Sequence, residues 1–313
     1  MGFTRLAVTP RVRAAVPALQ LPSAHMTSLA RLAILVLFLC AGCLSTVDGM
    51  QAAGDVDGGP AVGSQTDGSV GGGGGGGGGG ADLGSSSTDL GPLGPLSTTV
   101  PPFSGSSHGT GGTMPVVGAT VAIPGISYRL IAPSSTGGGP MPFLVFICGV
   151  NGCDSMVQTL DYADGISGLE HSVRILAEHT DSAEAIAAAM DDVRAKYDID
   201  NDRTYLESES AGTLSGIALG FQLRQGWFAA YWLNDLVTSG APQQTAQQLG
   251  FAPWGSAGPG GNFGAAMAVV AAMQTAGYRI PDPPYYNGPG AEMHGNGAQG
   301  LASLQFFGGK RRR

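Results

Sequence analysis

Three observations predict an α/β architecture, a mostly parallel sheet with helices on both faces. Strand-like and helix-like segments alternate from residue 116 onward, the pattern that builds βαβ units. Residues 142–148 form one uninterrupted apolar run, as a strand buried on both faces requires. Residues 204–223 read as a strand that stops on Ser210 and turns at once into a helix, the arrangement that lifts a nucleophile above a sheet.

Residues 116–123 and 126–131 are expected to be edge strands joined at Pro124-Gly125, since Pro and Gly are the strongest turn signals. The run 142–148 is the third strand and residues 173–176 a short fourth. Ala185, Ile186, Ala189, Met190 and Val193 share one side of a helix over 181–196, spaced at the helical period. Thr204, Tyr205 and Leu206 form a buried-type strand, and Leu214, Ile217, Leu219, Phe221 and Leu223 mark the helix beyond the serine. A strand at 227–233, a helix at 242–249, a short strand at 251–254, an alanine-rich helix at 262–276 and a last helix at 299–307 complete the series. Met156, Leu160, Tyr162, Trp227 and Trp254 suit either the core or an acyl pocket.

The stretch Ser208-Glu209-Ser210-Ala211-Gly212 carries the chemistry. A serine at a sharp strand-to-helix turn has a strained backbone, an exposed hydroxyl and an oxyanion facing the first helix amides. The small Ala211 and Gly212 let helix and strand pass closely. The usual pattern is G-x-S-x-G, so Ser208 puts a side chain where its absence normally relieves crowding. Ser, Ala and Gly near a helix start also serve ordinary capping.

The run Y-D-I-D-N-D-R-T-Y-L-E-S-E-S-A-G over 197–212, with P-F-L-V-F-I-C-G-V-N-G-C over 142–153, resembles the polyhydroxybutyrate depolymerase and feruloyl esterase-like branch of the α/β-hydrolases. The resemblance implies the α/β-hydrolase fold and a serine esterase acting on carboxylic esters, polyhydroxyalkanoate or acylated polysaccharide, without a cofactor. It places the catalytic histidine in a loop before the final helix. There the family's acid follows the seventh strand, and the His-Gly of its oxyanion loop corresponds to Cys148-Gly149 here.

A serine hydroxyl is a poor nucleophile until a base takes its proton, and this fold orders the partners Ser, acid, His. His25, His108, His171 and His179 all precede Ser210, which leaves His294 in the glycine-rich loop 288–297. The segment 254–262, where the family keeps its aspartate, has no carboxylate. Asp235, at the end of the preceding strand, is favoured, since side chains there point into the crevice at the strand ends. Asp282, Glu292, Asn262 as an orienting amide, or no acid at all are the alternatives. The oxyanion donors are expected to be the amides of Ala211 and Val150. Asp200 and Arg203 read as a structural pair.

The chain of 313 residues has a formal net charge of −8 and two lysines. No basic run interleaved with aromatics appears apart from the terminal Lys310-Arg311-Arg312-Arg313, read as a solvated end, so nucleic acid is not an expected partner. Residues 26–43 have a charged start, a short apolar core and a small-residue site ending Cys40-Ala41-Gly42-Cys43, the three parts of a secretory signal. The ending resembles a bacterial lipoprotein signal, with Cys43 lipidated and the protein held at the cell envelope. A plain cleaved signal or an uncleaved anchor are alternatives. Residues 44–115, with ten consecutive glycines at 71–80, read as a disordered tether, and residues 116–313 as the catalytic domain. Cys148 and Cys153 remain. In an exported chain they suit a short-loop disulfide, free buried thiols being the alternative. No metal-ligand set is visible.

Overall fold

A computed structural model describes residues 90–313. The leader, Cys43 and residues 44–89 of the expected tether lie outside the described residues.

Seven strands form one sheet in the order β1-β2-β4-β3-β5-β6-β7: β1 Val116–Ile123, β2 Ile126–Ala132, β3 Met141–Ile147, β4 Val173–Ala177, β5 Ile199–Glu209, β6 Ala230–Asn234 and β7 Trp254–Gly258. β2 runs antiparallel to both β1 and β4, and every other pair is parallel. Only β1 of the expected edge pair lies at the edge, because β2 is also paired with β4. All seven residues of β3 are buried, which accounts for their lack of apolar–polar alternation.

One face of the sheet is covered by α2 (Ala183–Lys196), α3 (Thr213–Ile217, continued by a π turn at Ala218–Leu223) and α5 (Phe263–Thr275). Leu160 of α1 (Asp154–Asp161) and Leu304 and Phe307 of α6 (Gly297–Phe307) cover the other. Helix α1 has no counterpart in the sequence reading: it buries a single residue, Leu160, too few for a periodic signal. The expected helix at 242–249 contracts to α4, Ala246–Leu249, because Thr245 caps there, exchanging hydrogen bonds with Gln248. The strand expected at 251–254 is shifted to Trp254–Gly258 by its register against Ala230–Asn234. The one expected at 227–233 begins at Ala230, after a 3-10 turn over Gln225–Trp227.

The expected tether ends sooner than residue 116. Residues 90–115 have almost no regular structure, yet the domain satisfies their backbone: the Ser97 amide donates to Asp191, Ser104 to Asp202 and His108 to Asp198. The tail is likewise not a solvated end. Arg312 is fully buried, donating to the carbonyls of Gly226, Pro101 and Pro102 at 3.0, 2.9 and 3.1 Å and pairing with Asp202 at 3.3 Å. A buried guanidinium demands such saturation, and residues 90–115, a strap across the domain, supply two of its acceptors. Asp200 and Arg203 form the expected pair at 2.6 Å.

Candidate active site

Strand β5 ends at Glu209, and Ser210 follows with φ of 51°, a conformation costly for a residue with a Cβ. The chain then enters a short helical turn over Ser210–Gly212. Ser210 is 7% exposed. The Ala211 amide lies in this first turn, where amides have no intrahelical acceptor. Close passage here depends on Gly212, since a Cβ added to it would lie 2.7 Å from the carbonyl oxygen of Ile147.

Ser208, the residue that replaces glycine, is accommodated from the other side. It packs against Gly216 of α3, where an added Cβ would lie 2.6 Å from the Ser208 Cβ. The space that G-x-S-x-G leaves on the strand is left here on the helix. The buried Ser208 hydroxyl has no hydrogen-bond partner.

Asp235 follows β6 as Ser210 follows β5. The strands are in register, Glu209 opposite Asn234, so the serine and the aspartate occupy neighbouring strand ends. Asp235 too has φ of 51° and is buried. Its Oδ1 accepts from Gln299 Nε2 at 2.5 Å and its Oδ2 from the Gly295 amide. His294 Nδ1 stands 4.0 Å from the same Oδ2, and the imidazole is 56% exposed. Burial raises the Asp235 pKa, while the Gly295 amide, the His294 charge and Gln299 oppose the rise. Among the described residues, no other carboxylate lies within ion-pair distance of His294. Asp282 and Glu292 are exposed, and Asn262 is occupied in capping α5 and donating to the Leu236 carbonyl.

The loop after β3 is closed by a disulfide between Cys148 and Cys153. Gly149 lies against Ser210: a Cβ added to it would sit 3.1 Å from Ser210 Cβ. Val150 turns its side chain outward, 67% exposed, while the Gly152 amide donates to the Gly149 carbonyl at 3.0 Å and closes the turn. The Cys153 amide is held by Glu178 at 3.1 Å.

Glu207 and Glu209, to which the sequence assigns no role, flank Ser208 at the end of β5. Burial and the nearby Asp235 charge push Glu209 up to about 7. Burial pushes Glu207 up to about 8. Hydrogen counting points the same way for Glu207. The Ser303 hydroxyl contacts both Glu207 Oε1 and the Gly300 carbonyl, but it has one proton to give. A protonated Glu207 that donates to Ser303, which donates to Gly300, satisfies both contacts. Of the candidate pocket residues, Leu160 and Trp227 are buried in the core, and Trp254 lies under Arg279 and Lys310 at the start of β7, the end remote from Ser210. Among the described residues, no group of three or more His, Cys, Asp or Glu is placed to hold a metal ion.

The decisive feature is a sheet parallel except around β2, in the order 1-2-4-3-5-6-7, with a serine turn closing β5. The domain has the α/β-hydrolase fold. No family model matches the chain, and no curated protein matches it significantly. Among solved structures it is similar to a thermostable esterase at 15% identity and a TM-score of 0.46, the match covering 62% of each chain. It is also similar to EstE1, a thermophilic and thermostable carboxylesterase cloned from a metagenomic library, at 13% identity and a TM-score of 0.45, covering 63% of this chain and 89% of that one. A third is Est1E from Butyrivibrio proteoclasticus, at 12% identity and a TM-score of 0.44, covering 61% and 97%.

Proposed function

We propose that this α/β-hydrolase is a serine esterase that cleaves carboxylic esters through an acyl-enzyme. Ser210 Oγ attacks the ester carbonyl while His294 takes the hydroxyl proton. The amides of Ala211 and Val150 receive the oxyanion. Collapse expels the alcohol, which leaves with the proton from His294, and water activated by the same imidazole then releases the acid. Asp235 orients the ring and stabilises its charged form. One observation carries the reading: Asp235 Oδ2 stands 4.0 Å from His294 Nδ1 at the strand end beside Ser210, which leaves Nε2 for the serine. The imidazole has to approach by about 1 Å to reach hydrogen-bond distance, and catalytic contacts are often long in free enzymes.

The substrate we infer is an extracellular polymer ester, polyhydroxyalkanoate or acylated polysaccharide. The family resemblance and the signal-like run ending in Cys43 support it. A lipid on Cys43 would hold the enzyme at the cell envelope, with the glycine-rich segment as spacer, and palmitate incorporation that Cys43→Ala abolishes is the test of that anchor. For the chemistry, the test is fluorophosphonate labelling alongside p-nitrophenyl ester turnover. Wild type is expected to label and turn over, and a folded Ser210→Ala variant to do neither. Equal behaviour of the two would end the esterase reading. It would favour a second one, a scaffold without turnover serving as a binding module, to which the segment 254–262 without a carboxylate, Ser208 in place of glycine and Cys148 in place of histidine point.

A further inference from the structure

Helix α6 follows the His294 loop directly, with Asn296 capping it by accepting from the Ala298 amide at 2.9 Å. Two of its residues, Gln299 and Ser303, face the sheet and are fully buried, one turn apart. Polar groups on the core side of a helix are costly unless each meets a partner. Ser303 meets Glu207 of β5. Gln299 is held at both ends of its amide: Oε1 accepts from the Gly260 amide at 3.2 Å, and Nε2 donates to Asp235 Oδ1 at 2.5 Å. The backbone amide of Gly260 can only donate, so it sets which end is oxygen and leaves the NH2 facing Asp235.

The segment after β7 makes room for this contact. A Cβ on Gly258 would lie 2.7 Å from Gln299 Cδ, and one on Gly260 would lie 2.6 Å from Asp235 Cγ. Where the resembled family keeps its acid, this chain has glycines that admit a glutamine from the last helix to an aspartate from β6.

We propose that Gln299 is the positioning residue of this site. Its amide fixes the Asp235 carboxylate so that Oδ2 faces the His294–Gly295 corner. The assignment rests on the esterase reading above. Gln299 touches neither substrate nor the reacting atoms and acts through Asp235. The other titratable groups acting on Asp235 are His294 from the loop and Glu209 from β5, with Glu207 one step further, against Ser303 and Glu209.

The test uses the full chain, p-nitrophenyl acetate and two variants. Gln299→Met keeps the volume and removes the donor. Its kcat is expected to fall on the order of 10- to 100-fold with KM within about twofold, the loss of one hydrogen bond to a charged group. Gln299→Glu is isosteric. When protonated it accepts from Gly260 and donates to Asp235 as the amide does, and when ionised it sets a carboxylate against a carboxylate. The ratio of its kcat to that of wild type should therefore be highest at acidic pH and fall as pH rises, whereas a purely packing role gives a flat ratio. A Gln299→Met variant that melts like wild type and turns over at the wild-type rate, with Ser210→Ala dead, overturns the assignment and leaves the esterase standing. A flat ratio for Gln299→Glu overturns it equally. Wild type and Ser210→Ala equally inert would remove the esterase reading and the role of Gln299 with it.

Discussion

Ser210 and Asp235 are the first residues beyond two neighbouring parallel strands, and both have the same left-handed backbone angle, φ of 51°. Two side chains leave adjacent strand ends from the same left-handed φ, Ser210 into a 3-10 turn and Asp235 into a bend, so both sit at the crevice edge of β5 and β6. Asn tolerates left-handed φ nearly as well as Asp. Asp235→Asn is therefore expected to keep the fold while losing the charge, and on the proposed esterase reading kcat should fall on the order of 10³- to 10⁴-fold, as when the acid of a serine hydrolase triad is neutralised. Unchanged p-nitrophenyl ester turnover in that variant would remove Asp235 from the mechanism.

The exchange of space between Ser208 and Gly216 predicts a compensating pair. Gly216→Ala alone drives a methyl into Ser208 and should destabilise by about 1 to 3 kcal/mol. Ser208→Gly restores the usual elbow and removes a buried hydroxyl that has no partner. The double variant is expected to recover most of the loss, with a coupling energy of about 1 kcal/mol or more in chemical denaturation. Strictly additive effects would show that the two positions do not share the gap.

How much of this was legible in the sequence depended on distance along the chain. β3 could be read because burial on both faces leaves an unbroken apolar run. Ser210 could be read because an elbow is five consecutive residues. Asp235 stood out by its place at the end of a strand. Gln299 and Glu207 could not be read, because a Gln or Glu within a helix or strand pattern looks solvent-facing until another element stacks on it. Ser303 lies 96 residues from Glu207, and Gln299 lies 64 from Asp235. The strap over 90–115 reads as tether because it has no core of its own. Its partners, Asp191, Asp202 and Arg312, are supplied from far along the chain.

Closing the Cys148–Cys153 loop removes entropy from the unfolded chain, worth about 2 kcal/mol for so short a loop. The disulfide should affect rate as well as stability, because the turn it closes carries Gly149, packed against Ser210, and the Val150 amide. A Cys148→Ala, Cys153→Ala double variant is expected to melt a few degrees lower and lose kcat on the order of tenfold with little change in KM, as when an oxyanion donor is misplaced. A lowered melting temperature with wild-type kcat would confine the disulfide to a structural role.

Glu207 ties stability to pH. Its carboxyl is pushed from 4.5 to about 8 by burial, so the folded chain keeps a proton that the unfolded chain gives up. The stability contributed by that proton is complete below about pH 4.5 and is lost as the pH rises through about 8, a change on the order of a few kcal/mol. Glu209, raised to about 7, adds a slope of the same sign. Glu207→Gln keeps a donor for Ser303 and cannot ionise. Its melting temperature is expected to match wild type near pH 5 and exceed it by several degrees at pH 8 to 9, leaving the shallower decline due to Glu209. Parallel melting curves for wild type and Glu207→Gln across that range would mean that Glu207 is already ionised in the fold, with Ser303 donating to it rather than to Gly300.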